Sequence, residues 1–243
     1  MNIRDEAVLR ELNLYPLWVR RDLSGETRQL PATPVATPVA QLASPAHTES
    51  AQRSFAATPS ILGWSELKQQ VHDCTACKLR AGCTQTVFGV GDEKAEWLFV
   101  GEGPGADEDA QGEPFVGQAG KLLDNMLAAI KLKRGNNVYI ANIVKCRPPG
   151  NRTPEADEIA TCLPYLQQQI ALIQPKLIVA LGKTAATSLL GRDATLGSLR
   201  GTVHDFAGIP LIVTYHPAYL LRSPAEKAKA WQDLCAAVQR VAT

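Results

Sequence analysis

Short apolar segments that alternate with amphipathic ones constrain the fold of this chain more than any other feature. Four segments have the length of buried strands and carry no charged residue: 97–100, 138–144, 177–181 and 211–214. Strands that are apolar along their length are buried on both faces, which is typical of parallel sheets. The alternation therefore predicts an α/β fold whose parallel sheet is covered by helices on both faces.

The segments between the strands have helical spacing of their apolar residues. This spacing predicts helices over 118–130, 183–190 and 224–241. A further helix is predicted to start at Thr153-Pro154-Glu155, where a cap, a proline and an acid follow one another, and to reach Ile173 with a bend at Pro164. Ligands bind such sheets at the carboxyl ends of the strands, so we expect the site there.

The first 60 residues differ in composition from the rest of the chain. Residues 29–60 hold prolines among Ala, Thr, Ser and Gln with almost no charge, a composition typical of flexible linkers. We predict a short helical segment over 1–28, a linker over 29–60 and one domain over 61–243. The flexible N-terminal extension is a candidate docking element for a replication or repair partner.

The cysteines form an uneven pattern. Cys74 and Cys77 form a C-x-x-C pair, whereas Cys146 and Cys162 stand alone further along the chain. Such thiols cannot form one contiguous zinc ribbon, but they can surround one metal or cluster if the fold brings three segments together. The charged N-terminus lacks a signal-peptide core, and no apolar run is long enough to span a bilayer. We therefore expect a reducing, cytoplasmic compartment and no membrane association.

A glycine-rich stretch, GEGPGADEDAQGEPFVGQAG over 101–120, follows the first strand. Its first six residues match the dinucleotide fingerprint G-x-G-x-x-G/A. We reject that interpretation because Pro104 lies inside it, no helix is expected directly after it, and the acids at 107–109 would repel a pyrophosphate. Glu102 suits the orientation of a water or a developing cation instead. Phe115 offers an aromatic face, although from the sequence alone core packing is favoured.

A second polar motif, NIVKCRPPGNR over 142–152, ends the second strand. Asn142 either caps a turn or uses its amide to read a base edge. Lys145, Arg147 and Arg152 make the densest basic stretch of the domain, which is either a solvated face or a phosphate-binding strip. The net charge is only +1, so attraction to nucleic acid must come from such a local patch.

A third motif, HPAYLLR over 216–222, follows the last strand. We expect His216, directly before a proline, to lie in a loop. Exposed Leu220 and Leu221 beside Arg222 would suit an apolar wedge that enters a base stack. In contrast, Lys183-Thr184 only superficially matches a P-loop, because the first glycine of that motif would fall on Leu177, and it is expected to start a helix.

Together these blocks resemble the family 4, iron–sulfur uracil-DNA glycosylases over about residues 64–240. The resemblance implies a three-layer α/β/α fold with a central four-stranded parallel sheet, which agrees with the four strand segments. It also implies a 4Fe–4S cluster on Cys74, Cys77, Cys146 and Cys162, with Cys83 and Cys235 outside the set. Zinc on the same thiolates is the physical alternative.

The resemblance implies a role for each motif in removing uracil. The uracil-binding residues would be Gly101, Gly103, Phe115 and Asn142. His216 would stabilise the departing uracil anion. Glu102 and Glu108 are the candidates for positioning the water, and Glu108 could instead exclude the methyl group of thymine. The best-known relatives in the superfamily have a water-activating Asp at the position of Gly103, so the choice between the two carboxylates stays open.

The implied DNA contacts come mainly from the basic stretch and the third motif. Leu220 would fill the gap left by the flipped base. Contacts to the DNA backbone would come from Lys145, Arg147, Asn151, Arg152, Arg200 and Arg222.

The sequence therefore predicts a monomeric, monofunctional glycosylase of base excision repair that acts on uracil in single- or double-stranded DNA. The alternatives are a non-catalytic iron–sulfur module that binds DNA or assists replication, and a small redox protein. The compact spacing of ferredoxin cysteines is missing, which argues against the redox protein.

Overall fold

A mixed sheet forms the centre of residues 62–241, the part of the chain that this computed structural model describes. Its strands are β1 (Val90–Gly91), β2 (Trp97–Gly101), β3 (Val138–Asn142), β4 (Leu177–Leu181), β5 (Val203–Phe206) and β6 (Ile209–Thr214). They lie in the order β1-β3-β2-β4-β6-β5. The predicted segments 1–28 and 29–60 lie outside the described residues.

The inner strands β3, β2, β4 and β6 are parallel to one another, and the sequence predicted all of them. Residues of β2, β3 and β4 are buried along the whole strand. The edge strands β1 and β5 pair antiparallel and were not predicted, so within residues 62–241 the sheet has six strands instead of four. β1 is only two residues long, and β5 is half-exposed and polar, so neither has the apolar signal of a buried strand.

Helices cover both faces of the sheet. They are α1 (Trp64–His72), α2 (Ala106–Gln111), α3 (Gln118–Ala129), α4 (Ala156–Ile173), α5 (Lys183–Leu190), α6 (Leu196–Leu199), α7 (Pro217–Arg222) and α8 (Lys227–Val241). One hydrophobic core joins the sheet to α4 and α5, and a second joins the opposite face to α3 and α8. The three-layer α/β/α prediction is therefore confirmed. None of the described helices is long and apolar enough to cross a membrane.

The start of α4 differs from the sequence prediction. The N-cap is Glu155, two residues after the predicted Thr153, and the helix begins at Ala156. Glu158 sets this start, because its carboxylate accepts a hydrogen bond from the Glu155 amide at 2.7 Å. Pro164 lies inside the helix, which continues over it to Ile173.

Two short helices replace predicted loops. Helix α2 directly follows Gly105, so one reason for rejecting the dinucleotide fingerprint was wrong; Pro104 and the acidic residues remain as reasons. Glu108 starts this helix by accepting a hydrogen bond from the Gly105 amide at 3.0 Å. Helix α7 begins at Pro217, and His216 lies directly before it in the predicted loop position, where it acts as the N-cap of the helix. Both helices lie at the carboxyl edge of the sheet, where they shape the candidate site.

Candidate active site

One large cavity opens at the carboxyl ends of the parallel strands. Residues from all three polar motifs line it, and those that the sequence singled out are Glu102, Gly103, Glu108, Phe115, Asn142, Asn151, Arg152, His216 and Arg222. The register explains this meeting, since Gly101 at the end of β2 pairs with Asn142 at the end of β3. Lys145, Arg147 and Leu220 are not among the lining residues.

Asn142 presents an unsatisfied acceptor in this cavity. The residue is 2% exposed, and its Oδ1 has no hydrogen-bond partner among the described residues. A side chain at Gly101 would collide with this oxygen and with the ring of Phe115, so glycine keeps the space between them open. Buried polar atoms are almost always hydrogen-bonded, so an unpaired amide oxygen indicates a place for a ligand donor.

Phe115 lies against the same space in a strained backbone conformation. Its φ is +55°, which is an outlier for a bulky side chain, and the residue is 6% exposed. Its ring centroid is 5.5 Å from that of His216, with 31° between the planes. The ring also belongs to the hydrophobic core shared with α3. Core packing and an aromatic wall of the cavity are therefore the same feature, not alternatives.

Arg134, which sequence reasoning missed, fixes the backbone at Phe115. Its guanidinium donates to the carbonyls of Pro114 at 2.8 Å and Phe115 at 2.7 Å, and it is anchored by Asp124 at 3.0 Å. On the other side, Gly120 approaches the Phe115 carbonyl so closely that a Cβ would overlap it. These contacts offset a strain of about 1–3 kcal/mol and set the direction of the ring.

Replacing Arg134 by alanine is expected to weaken ligand binding in this cavity about tenfold and to lower thermal stability, because charged hydrogen bonds of about 1.5–3 kcal/mol are lost. Ligand competition measures the first effect and thermal unfolding measures the second. Lys133→Ala, an exposed neighbouring cation, is the control and should match the unchanged protein. Equal ligand affinities for Arg134→Ala and Lys133→Ala would contradict the role of Arg134.

His216 is neutral at physiological pH. Burial, with a smaller contribution from Arg222, lowers its pKa from 6.5 to about 4, while Glu108 opposes the shift. Part of the ring surface is open to the cavity, but the surrounding protein dominates the environment of the imidazole. Its Nδ1 accepts a hydrogen bond from the Ala218 amide at 3.2 Å. The hydrogen-bond network thus assigns the proton to Nε2, which can donate to a ligand.

The two candidate carboxylates have different surroundings. Glu108 accepts hydrogen bonds from the amides of Val116 at 2.9 Å, Gly117 at 3.1 Å and Gly105 at 3.0 Å. These bonds occupy both of its oxygens and hold the glycine-rich loop. Glu102 accepts a hydrogen bond from the Thr184 hydroxyl at 2.5 Å through Oε2. The geometry favours Glu102 over Glu108 for contact with a water.

Thr184 is a cavity residue that sequence reasoning missed. It lies in the first turn of α5, lines the cavity and donates a hydrogen bond to Glu102. Its only signal was the incomplete P-loop pattern, which correctly predicted a helix start but not a partner for a carboxylate. Since β2 and β4 are neighbours, their following segments meet at the sheet edge.

Two of the predicted phosphate contacts are wrong. Lys145 is 1% exposed, and its Nζ donates to the Asn142 carbonyl at 3.0 Å and to Gln169 at 2.6 Å. Burial lowers the pKa of this lysine to about 8. Arg200 forms two hydrogen bonds to Asp233, at 2.7 and 3.0 Å, and its side chain is 12% exposed. Both cations therefore form contacts within the protein instead of facing a DNA phosphate.

The remaining basic side chains lie at or near the cavity mouth. Arg222 is exposed and lines the cavity. Arg152 is partly exposed and makes a two-point hydrogen-bonded pair with Glu158, at 2.8 and 2.7 Å. Arg147 donates to the Asn151 amide oxygen at 2.7 Å. They form a smaller basic strip than the sequence indicated.

The structure also differs from the apolar wedge that was predicted for Leu220 and Leu221. Leu220 is 1% exposed, because α7 turns this side chain inward, whereas Leu221 is 45% exposed. The prediction that both leucines are exposed is therefore wrong for Leu220. Helix α7 makes its main contacts with α3, which accounts for the burial of one of its sides.

Cys74, Cys77, Cys146 and Cys162 line one small cavity next to α4, together with Lys145 and Tyr165. The Lys145 amide donates to Cys162 Sγ at 3.2 Å. Burial is the main cause that raises the pKa of the Cys146 and Cys162 thiols. Within residues 62–241, no three His, Cys, Asp or Glu side chains are placed to hold one metal ion. The thiols nevertheless meet in space and supply the donors that an iron–sulfur cluster or zinc requires.

Comparison with known proteins gives consistent matches. The family model described as the Uracil DNA glycosylase superfamily matches residues 88–235. A type-4 uracil-DNA glycosylase of Pyrobaculum aerophilum is 44% identical over 177 residues, which cover 70% of this chain and 90% of that protein. One of Thermotoga maritima is 44% identical over 67% of this chain and 85% of that protein. One of Sulfurisphaera tokodaii is 46% identical over 65% of this chain and 76% of that protein.

Proposed function

The chain belongs to the uracil DNA glycosylase superfamily, and from this premise we propose that it flips uracil out of DNA and hydrolyses its N-glycosidic bond. The product is an abasic site for base excision repair. The observation that supports this most directly is the unpaired, buried Oδ1 of Asn142 beside the rings of Phe115 and His216. A nucleobase cannot reach such a cavity inside a duplex, so it must leave the stack at a cost of about a few kcal/mol.

Recognition of the base rests on Asn142 and Phe115. The free Oδ1 of Asn142 can accept a hydrogen bond from the N3–H group of uracil, and the amide nitrogen can donate to a carbonyl of the same edge. Phe115 provides the aromatic wall on which the flipped base stacks. Gly101 keeps this space free of a side chain, and Gly103 lines the cavity beside Glu102.

Bond cleavage leaves a uracil anion and an oxocarbenium-like sugar. Neutral His216 donates its Nε2 proton as a hydrogen bond to a uracil oxygen and stabilises the developing negative charge without prior protonation. Glu102, oriented by Thr184, holds the attacking water and stabilises the sugar cation. Glu108 acts indirectly, by holding the loop that carries Phe115. Lys183 lines the cavity, but its Nζ is paired with Asp193 at 3.0 Å, so we expect no covalent attack by a lysine and no strand cleavage by the enzyme itself.

DNA binding is assigned to Arg147, Asn151, Arg152 and Arg222, which lie at or near the cavity mouth. A protein that neutralises several phosphates releases counterions, so its affinity should fall steeply with salt. We propose that the enzyme acts as a monomer on uracil in single- or double-stranded DNA. Residues 1–60 remain the proposed contact to a replication or repair partner, and the cytoplasm remains the proposed compartment.

Cys74, Cys77, Cys146 and Cys162 are proposed to hold a 4Fe–4S cluster, with zinc as the alternative occupant. When bound, the cluster would crosslink three distant segments of the chain without taking part in hydrolysis. Lys145 connects this region to the base-binding edge, since its amide contacts Cys162 and its Nζ contacts the Asn142 carbonyl. The thiols therefore have a structural role beside the uracil pocket.

The deciding experiment measures uracil release from a labelled oligonucleotide, followed by alkali to cleave abasic sites. Strand cleavage is expected only after alkali. Asn142→Ala should lower kcat/KM about 5- to 150-fold, since a two-point contact to a base edge contributes about 1–3 kcal/mol. Asn136→Ala, an exposed asparagine outside the cavity, is the matched control. An unchanged protein that binds this DNA but yields no alkali-labile site would refute the proposed activity.

A further inference from the structure

Tyr219 of the third motif and Tyr215, directly before that motif, form a stack beside the active-site cavity. The ring centroids of Tyr215 and Tyr219 are 5.2 Å apart, with 17° between the ring planes. Tyr219 lines the cavity and is 38% exposed. A large aromatic ring that stays exposed at the mouth of a binding cavity is a candidate surface for ligand stacking.

Tyr215, the less exposed ring of this stack, is held in place by its neighbours. The Arg200 guanidinium carbon lies 4.3 Å from the Tyr215 ring centroid, which is a cation–π contact. Arg200 is itself fixed by Asp233 and by the Lys229 carbonyl, at 2.7 to 3.0 Å. The contacts that make Arg200 unavailable for phosphate binding therefore also hold its guanidinium against the Tyr215 ring. An aromatic surface prepared in this way loses little conformational freedom when a base stacks on it.

A comparison with the neighbouring residues of α7 favours Tyr219 as the residue that contacts a base. Leu220 is buried, and Leu221 is exposed but does not line the cavity. Arg222 lines the cavity from the same helix and is exposed, so a cation lies near Tyr219 for the adjoining phosphate. An aromatic ring beside a cation is the usual combination for binding a single-stranded segment of nucleic acid.

We propose that Tyr219 is a stacking platform for the nucleobase that flanks the flipped uridine, and that α7 contacts the bases through this ring and not through the buried Leu220. This inference rests on the proposed removal of uracil from DNA. Stacking does not require a particular base, so Tyr219 would contribute affinity without sequence preference. Because the flanking base must be free to stack, the contribution should be larger for single-stranded than for double-stranded DNA.

The test uses a single-stranded oligonucleotide with 2-aminopurine next to a non-hydrolysable 2′-fluoro-deoxyuridine. Tyr219→Ala should bind it about 5- to 150-fold more weakly, the range for loss of one base–aromatic stack. Its saturated complex should also fluoresce more brightly than that of the unchanged protein, because the 2-aminopurine is no longer quenched by stacking. Tyr219→Phe should restore both the affinity and the quenching, since it keeps the ring.

Trp231→Ala, which removes an exposed aromatic ring that does not line the cavity, is the control and should match the unchanged protein. The inference is overturned if Tyr219→Ala keeps both affinity and quenching, or if Tyr219→Phe loses them as Tyr219→Ala does. Uracil release from a hydrolysable oligonucleotide is measured in parallel with the unchanged protein. Absence of release in that assay would refute the proposed activity. Normal release, together with unaltered stacking in Tyr219→Ala, would refute only the role of Tyr219.

Discussion

Replacing His216 by alanine is expected to slow uracil release by about 10²–10³-fold, the usual cost of losing one donor to a developing anion. The affinity for DNA should change little, because the contribution of His216 is made in the transition state and not in the bound substrate. Single-turnover rates measure the first effect, and binding to an oligonucleotide that contains an abasic site measures the second. His72→Ala is the control, because that residue is exposed on α1.

The pH dependence distinguishes a neutral His216 from a charged one. Burial lowers the pKa of His216 to about 4, so the imidazole stays neutral as the pH falls from 8 to 5. The rate should therefore not rise as the pH falls through 6.5, where an ordinary histidine gains its charge. A rate that increases on acidification near pH 6.5, and that loses this increase in His216→Ala, would contradict the assignment.

The same shift affects folding stability. The unfolded chain takes up the proton of His216 near pH 6.5, whereas the folded chain takes it up only near pH 4. Between these values the unfolded state binds more protons, so this residue makes the folded state less stable as the pH falls. The contribution is therefore largest above pH 6.5 and is lost through the window from 6.5 to 4.

The inner strands and the meeting of the motifs could be predicted because both follow from local signals. Strands β2, β3 and β4 are apolar throughout, and their carboxyl ends must meet if they are parallel. Asn142 ends a strand, Phe115 lies in the glycine-rich stretch after another, and His216 follows a third, so their meeting at that edge could be expected. The edge strand β5 has no such signal, since its residues alternate between exposed and half-buried.

The direction of individual side chains could not be predicted, because it depends on partners that are distant in sequence. Lys145 has the composition of a basic surface strip, but Gln169 on α4 supplies a buried acceptor for it. Arg134 shows no motif, and its role appears only when Pro114 and Phe115 turn their carbonyls toward it. Leu220 and Leu221 are neighbours in sequence, and only the helical turn of α7 buries one of them and exposes the other.

Replacing Cys146 by serine is expected to lower the free energy of unfolding by about 4 kcal/mol or more, the range reached when a protein loses a metal. The residue is 7% exposed and lies between the strand that carries Asn142 and Arg147, a proposed DNA contact. Loss of the proposed cluster would release this connection, so DNA binding and stability should fall together. Thermal unfolding, salt-dependent DNA binding and the visible absorbance of the purified protein measure the three effects.

Cys83→Ser and Cys235→Ser are the matched controls, and Cys83→Ser is the more stringent of the two. Cys83 contributes to raising the pKa of the Cys146 thiol, yet the resemblance places it outside the ligand set. If Cys74, Cys77, Cys146 and Cys162 are the ligands, Cys83→Ser keeps the colour, stability and DNA binding that Cys146→Ser loses. If Cys83→Ser loses the colour instead, the ligand set is wrong. A colourless protein that contains zinc and has the same stability would identify zinc as the occupant, because zinc and an iron–sulfur cluster require the same four thiolates.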